Sequence, residues 1–186
     1  MCGAGAVAAA IARALRDTGH NAVSVDDSTA VAHALSAALA RGVRVDALVN
    51  APPGGPSCGT ILTTPEAAWD EVVERDLTAV FRACKAVLPH FIERGGGAIV
   101  NVAGSAGYGR PDQLAESGAH GGIIAFGAAL AYDHFNDHVR VNTIVTGAHA
   151  TPESIAPVAA FLLSADAAVM SGSLIDVGNV AYQGGR

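Results

Sequence analysis

Apolar and polar positions along this chain follow two rhythms. Short branched-apolar runs, "DALVNA" (46–51), "GAIVNVA" (97–103) and "VRVNTIV" (139–145), are bounded by turn residues, as strands buried on both faces are. Between them lie longer segments with apolar residues three and four apart, the period of an α-helix. The pattern predicts helices over 6–18, 29–41, 65–93, 114–137 and 152–164, and strands over 22–26, 45–50, 97–103, 139–145 and 173–177. Pro65 with Glu66, and Pro152 with Glu153, mark two helix starts. Strand and helix in alternation imply a parallel sheet covered on both faces, with right-handed crossovers. No composition shift, repeat or low-complexity segment divides residues 1–186, so a single domain is expected. The longest irregular stretch, "NAPPGGPSCGTILTT" (50–64), follows a strand's carboxyl end, where open α/β sheets place ligands.

Composition narrows the functional classes. Apolar residues make up 51% and charged residues 15%, with a formal charge of -6, so there is no basic patch to meet nucleic acid. The most apolar stretch, Gly121–Tyr132, is too short to span a bilayer and carries glycines. The amino terminus has neither a basic flank nor a cleavage pattern, so no signal peptide is expected. Cys2, Cys58 and Cys84 are odd in number and scattered, which suits free thiols in a reducing cytoplasm and gives no zinc spacing. His134, Asp137 and His138 have metal-like spacing, but a solvated helix end explains them equally, and no metal site is assigned.

The first residues pose a specific question. Residues 3–8, G-A-G-A-V-A, fit the turn that cradles a dinucleotide pyrophosphate, with Gly3, Gly5, Asp26 and Asn50 as candidate cofactor contacts. That fingerprint needs a strand before it and a helix after it, and only Met1 and Cys2 precede it here.

The blocks "DALVNAPPGG", "WDEVVERDLTAVFRACKAVLPHF", "GGAIVNVAGSAG", "HVRVNTIVTG" and "SGSLIDVGNVA" resemble the short-chain dehydrogenase/reductase family, in family order. The resemblance implies a Rossmann-like three-layer αβα fold, here with a reduced, about five-stranded parallel sheet. Its first strand, the helix and strand after its second strand, and a helical lid over the substrate are expected to be absent. With the first strand missing, strand 22–26 is expected to pair directly with strand 45–50, because exposed backbone groups in a core would be costly.

The resemblance also locates the chemistry. Family members use Asn, Ser, Tyr and Lys, the lysine lowering the tyrosine's pKa so that the phenol can pass a proton as hydride moves. The matching positions here are Asp76, Gly104 with Ser105 beside it, Glu116 and His120. The single lysine, Lys85, lies on another helix. Cofactors are therefore expected to be none, with NAD(P) a vestigial possibility. Glu116 and His120, at i and i+4, read either as a salt-linked helix pair or, with Asp76, as a non-redox acid/base set. Tyr108 and Ser105 are further candidates at the end of the same strand. Cys58 in the long loop has no clear base nearby and reads as a plain thiol. The two long helices, 65–93 and 114–137, resemble those that pair across the family's dimer interface. They carry small residues suited to close approach: Ala79, Ala83, Ala86, Gly121, Gly122, Ala125, Ala128 and Ala129.

Three functions are thus open. The chain is a non-catalytic subunit pairing with an active homologue, such as a ketoreductase of a biosynthetic pathway. Or it is a non-redox cyclase, dehydratase or isomerase using His120, Glu116 and Asp76. Or it is a reductase whose start was assigned too late. No nucleic-acid or membrane partner is expected, and the expected location is cytoplasmic.

Overall fold

The computed structural model describes residues 5–55 and 59–178. In chain order the elements are α1 (Ala6–Asp17), α2 (Val31–Ala40), β1 (Ala47–Asn50), α3 (Glu66–Val72), α4 (Ala79–Glu93), β2 (Gly97–Gly104), α5 (Leu114–Asp133), β3 (Val139–Thr146), α6 (Pro152–Leu163) and β4 (Leu174–Val177). The strands form one sheet in the order β1-β2-β3-β4, every neighbour parallel. Alternate strand residues feed opposite cores. Leu48, Ile99 and Val141 pack under α2, α4 and α5, together with Val87, Phe91, Ile123 and Leu130. Val49, Val100 and Ile144 face α1 and α6, together with Ile11, Ile155 and Leu162. This is the expected three-layer αβα arrangement, with burial on both sheet faces accounting for the continuous apolar strands.

Among the described residues the sheet has four strands, and residues 22–26 form none. The expected pairing of that segment with β1 is not seen among the described residues: the segment holds one bridge residue, Val25, and is no strand of the sheet. Arg16 donates from Nε and Nη2 to the carbonyl of Ala22, at 3.2 and 3.0 Å. Val23 is 59% exposed, and Ala22 and Val25 reach the cores.

The helix expected over 65–93 is continuous but not uniform. Between α3 and α4 a π-turn, Val73–Thr78, inserts into the rod. A π-turn widens the spiral locally and re-aims the side chains it carries. Asp76 is one of them, and it is fully buried. A short 3₁₀ turn, Ser105–Tyr108, follows β2 and runs against α5. The contact needs Gly107, where a Cβ would lie 2.9 Å from backbone atoms of His120 and Gly121.

Candidate functional site

The carboxyl ends of β1, β2 and β3 open into a cleft of about 290 Å³. One wall is Val7 at the start of α1 with Pro52, Pro53 and Gly54 after β1. The floor is Val102–Ala106, and the other side is formed by Arg110, Glu116, His120 and Thr146–Ala148. Ser105, Glu116 and His120 therefore share one cavity, as the sequence implied. No helix among the described residues is long and apolar enough to cross a membrane.

His120 is held from both sides. Its Nδ1 accepts the backbone N–H of Gly104 at 2.8 Å, and its Nε2 faces Asp76 Oδ2 at 3.5 Å. An Nδ1 that accepts carries no proton, so the hydrogen-bond network assigns the ring proton to Nε2, pointing at Asp76. His120 thus faces Asp76, the carboxylate that the second of the two sequence readings joins to it.

Asp76 lies behind His120 and does not line the cleft. Its carboxylate takes two parallel bonds from the neighbouring Arg75, Nε to Oδ1 and Nη2 to Oδ2, both 2.8 Å. Burial alone would push the Asp76 carboxyl up, but the bonds from Arg75 and His120 and the Arg75 charge hold it below its ordinary value. The same pairing raises Arg75. The Arg75 guanidinium packs against the β1–α3 loop, where a Cβ on Gly55 would meet its Nη1 at 2.9 Å. A polar chain thus runs from Gly104 through His120 and Asp76 to Arg75, tying β2, α5, the π-turn and the loop together.

Several candidates are elsewhere. Tyr108 is turned out of the cleft, and its hydroxyl donates to Asp176 Oδ1 at 2.9 Å. The 3₁₀ turn rotates it toward β4, away from the position expected of a strand end. Asn50 is buried under α4, donating from Nδ2 to Asn101 Oδ1 at 2.9 Å and Cys84 Sγ at 3.3 Å. Asp26 is exposed and does not line the cleft. Gly5 caps α1 beside Pro53. Gly3 and Cys58 lie outside the described residues. His134 bonds Asp137 at 2.7 Å, and no metal-binding group of three occurs among the described residues. Sequence reasoning missed Arg75 and Arg110. The first is signalled only by adjacency to Asp76, the second only by its place after the glycine turn.

Pro52 and Pro53 line the cleft and have no N–H to offer a ligand, and Asp26 is exposed and outside the cleft's lining. Glu116 and His120 occupy the wall where the resemblance places tyrosine and lysine.

Comparison with known proteins agrees with the fold. Residues 3–156 match the family model described as short chain dehydrogenase. The 2-(R)-hydroxypropyl-CoM dehydrogenase of Xanthobacter autotrophicus is 30% identical over 131 residues, 69% of this chain and 52% of that one. The protein named inactive 2-(S)-hydroxypropyl-CoM dehydrogenase 2, from the same organism, is 29% identical over 82% of this chain and 80% of its own. A short chain dehydrogenase from Mycobacterium smegmatis superposes with a TM-score of 0.78 at 28% identity, covering 89% of this chain and 74% of that one. The chain spans about half the length of the first of these relatives. It belongs to the short-chain dehydrogenase family.

Proposed function

We propose that this chain is a family subunit that does not transfer hydride itself and acts by pairing with an active homologue, a ketoreductase of a biosynthetic pathway. The observation that carries the reading is the commitment of His120. Both its ring nitrogens are engaged within the protein, so the ring at the family's lysine position is neither a free base nor a free acid toward a substrate. Tyr108, which follows the same strand, bonds Asp176. A relative of similar sequence is itself named inactive.

The surface supports the pairing half of the reading. Trp69, Phe81, Tyr132 and Phe135 are exposed on or beside the long helices, as are Ala125, Ala128 and Ala129 on α5. The other small residues serve the chain's own packing. Ala83 is fully buried, and Cβ atoms on Gly118 and Gly122 would strike Trp69 and Leu77. The contact face is therefore narrower than the sequence suggests.

The test is co-expression with a full-length homologue from the same host. Co-elution with that homologue, and a change in its NADPH oxidation rate, are expected. The isolated chain should bind neither NADH nor NADPH with a micromolar dissociation constant in titration calorimetry. Hydride transfer by the isolated chain would overturn the reading.

A further inference from the structure

We infer that His120 is a pH-sensitive latch: on mild acidification its Nδ1 takes a proton, gives up the Gly104 amide and releases the floor of the cleft from α5. The inference goes beyond the proposed function, concerns the isolated chain and does not depend on assembly.

The ring is a joint between two elements. At the end of β2 the Gly104 N–H donates to His120 Nδ1 at 2.8 Å, and the chain then enters the 3₁₀ turn at Ser105. Histidine is the side chain whose ordinary charge change falls between pH 5 and 8. A neutral ring with its proton on Nε2 offers Nδ1 as an acceptor, whereas an imidazolium has donors at both nitrogens and no acceptor. Protonation therefore sets one N–H against another at Gly104, while the Nε2 proton stays directed at Asp76. The step takes one proton from solvent through the cleft, which His120 lines, and bonds it to Nδ1. The only interaction broken is the hydrogen bond from Gly104.

The charges around the ring set the direction. Asp76 Oδ2, 3.5 Å from Nε2, favours the imidazolium. Arg75, bound to the same carboxylate, opposes it. Glu116, one turn earlier on α5 and in the same cleft, favours it and is itself coupled to Arg75. Arg110, exposed at the rim, opposes it only through screening water. Tyr108 and Asp176 bond each other and do not line the cleft. The parts of α1, the β1–α3 loop and β3 that line it carry no ionisable side chain. Asp76 is the carboxylate at ion-pair distance, and it tips the balance toward the charged ring.

The test is NMR of the isolated, nitrogen-15-labelled chain between pH 8 and 5, the range in which histidine ordinarily changes charge. Long-range nitrogen–proton spectra are expected to show His120 with its proton on Nε2 at the alkaline end and on both nitrogens at the acid end. The Gly104 amide should shift over the same range. Its hydrogen exchange, corrected for the intrinsic effect of pH, should speed up about tenfold, the worth of one ordinary hydrogen bond. His120→Asn keeps an acceptor near the place of Nδ1 but does not titrate, so the Gly104 amide of that variant should stay constant. Asp76→Asn should move the Gly104 transition to lower pH, because the charge facing Nε2 is lost. His149→Gln, exposed and outside the cleft's lining, should leave the transition where it was. If His120→Asn or Asp76→Asn fails to fold, the ring nitrogens and Gly104 amide of the wild type decide the matter. The inference is overturned by a wild-type Gly104 amide that stays constant, or by a His120 ring that stays neutral throughout. It is equally overturned by a Gly104 transition that survives in folded His120→Asn, stays put in folded Asp76→Asn, or disappears in His149→Gln. None of these results bears on hydride transfer or pairing, and turnover of NADPH would in turn leave the latch standing.

Discussion

Replacing Asp76 with asparagine should destabilise the fold through the partner left behind. The Asp76 side chain is fully buried against Arg75's fork, while the Arg75 side chain is 30% exposed. Removing one member of a buried pair costs about 3–5 kcal/mol. Partial solvation of Arg75 and the acceptor oxygen that asparagine keeps reduce this to about 2–3 kcal/mol. For a domain of this size that is a melting shift of roughly 5–10 °C. The loss must also depend on pH. The Asp76 carboxyl lies below its ordinary value of 3.8 in the folded protein, so its contribution is complete above 3.8 and disappears as pH falls through the folded value. Asparagine does not titrate. The gap between wild type and variant should therefore be full at pH 7 and close under acid. Urea unfolding of both proteins at several pH values measures it, with the exposed Asp70→Asn as a control expected to change little. A variant as stable as wild type at pH 7, or a gap that persists in acid, refutes the reasoning.

Other perturbations follow from single contacts. Arg140 donates to the carbonyls of Leu162, Ser164, Ala167 and Met170, pinning the end of α6, and Arg140→Met should cost about 2–4 kcal/mol, read by denaturant unfolding. Gly107→Ala should push the 3₁₀ turn off α5 at a cost of about 1–3 kcal/mol and disturb the Gly104 amide signal in NMR, because the new methyl meets the backbone at His120. Ala129→Trp should leave the melting temperature of the isolated chain within a few degrees, since Ala129 is exposed, yet abolish or weaken co-elution with the partner in light-scattering chromatography.

The strands β1 to β4 and five helical segments, one of them now divided into α3 and α4, were legible because each buries a stripe whose period matches its geometry. What was not legible depends on contacts across the chain. The π-turn leaves no mark on a helical period, yet it directs Asp76 inward. Arg75 reads as an ordinary helical charge, and only the fold shows its fork closing on the next residue. Residues 22–26 look like a strand in composition, yet among the described residues only Val25 takes part in a β-bridge. The neighbourhood of Glu116, Ser105 and His120 was foreseeable from their family positions. The contact of His120 with Asp76 could be suggested only by the family positions, because helical spacing speaks for pairs on one helix and says nothing of a carboxylate on another.

The substitutions also act together on the charge of the cleft. In the family's arrangement the lysine is a cation beside the cofactor and the tyrosine is neutral until it gives up its proton. Here a histidine with its proton directed at Asp76 stands at the first position and a carboxylate at the second, so that wall has lost a positive charge and gained a negative one. Glu116→Gln tests whether that change of sign matters: if the Glu116 charge disfavours an anionic dinucleotide, neutralising it should tighten NADH in titration calorimetry, whereas a steric obstruction would leave the affinity where it was.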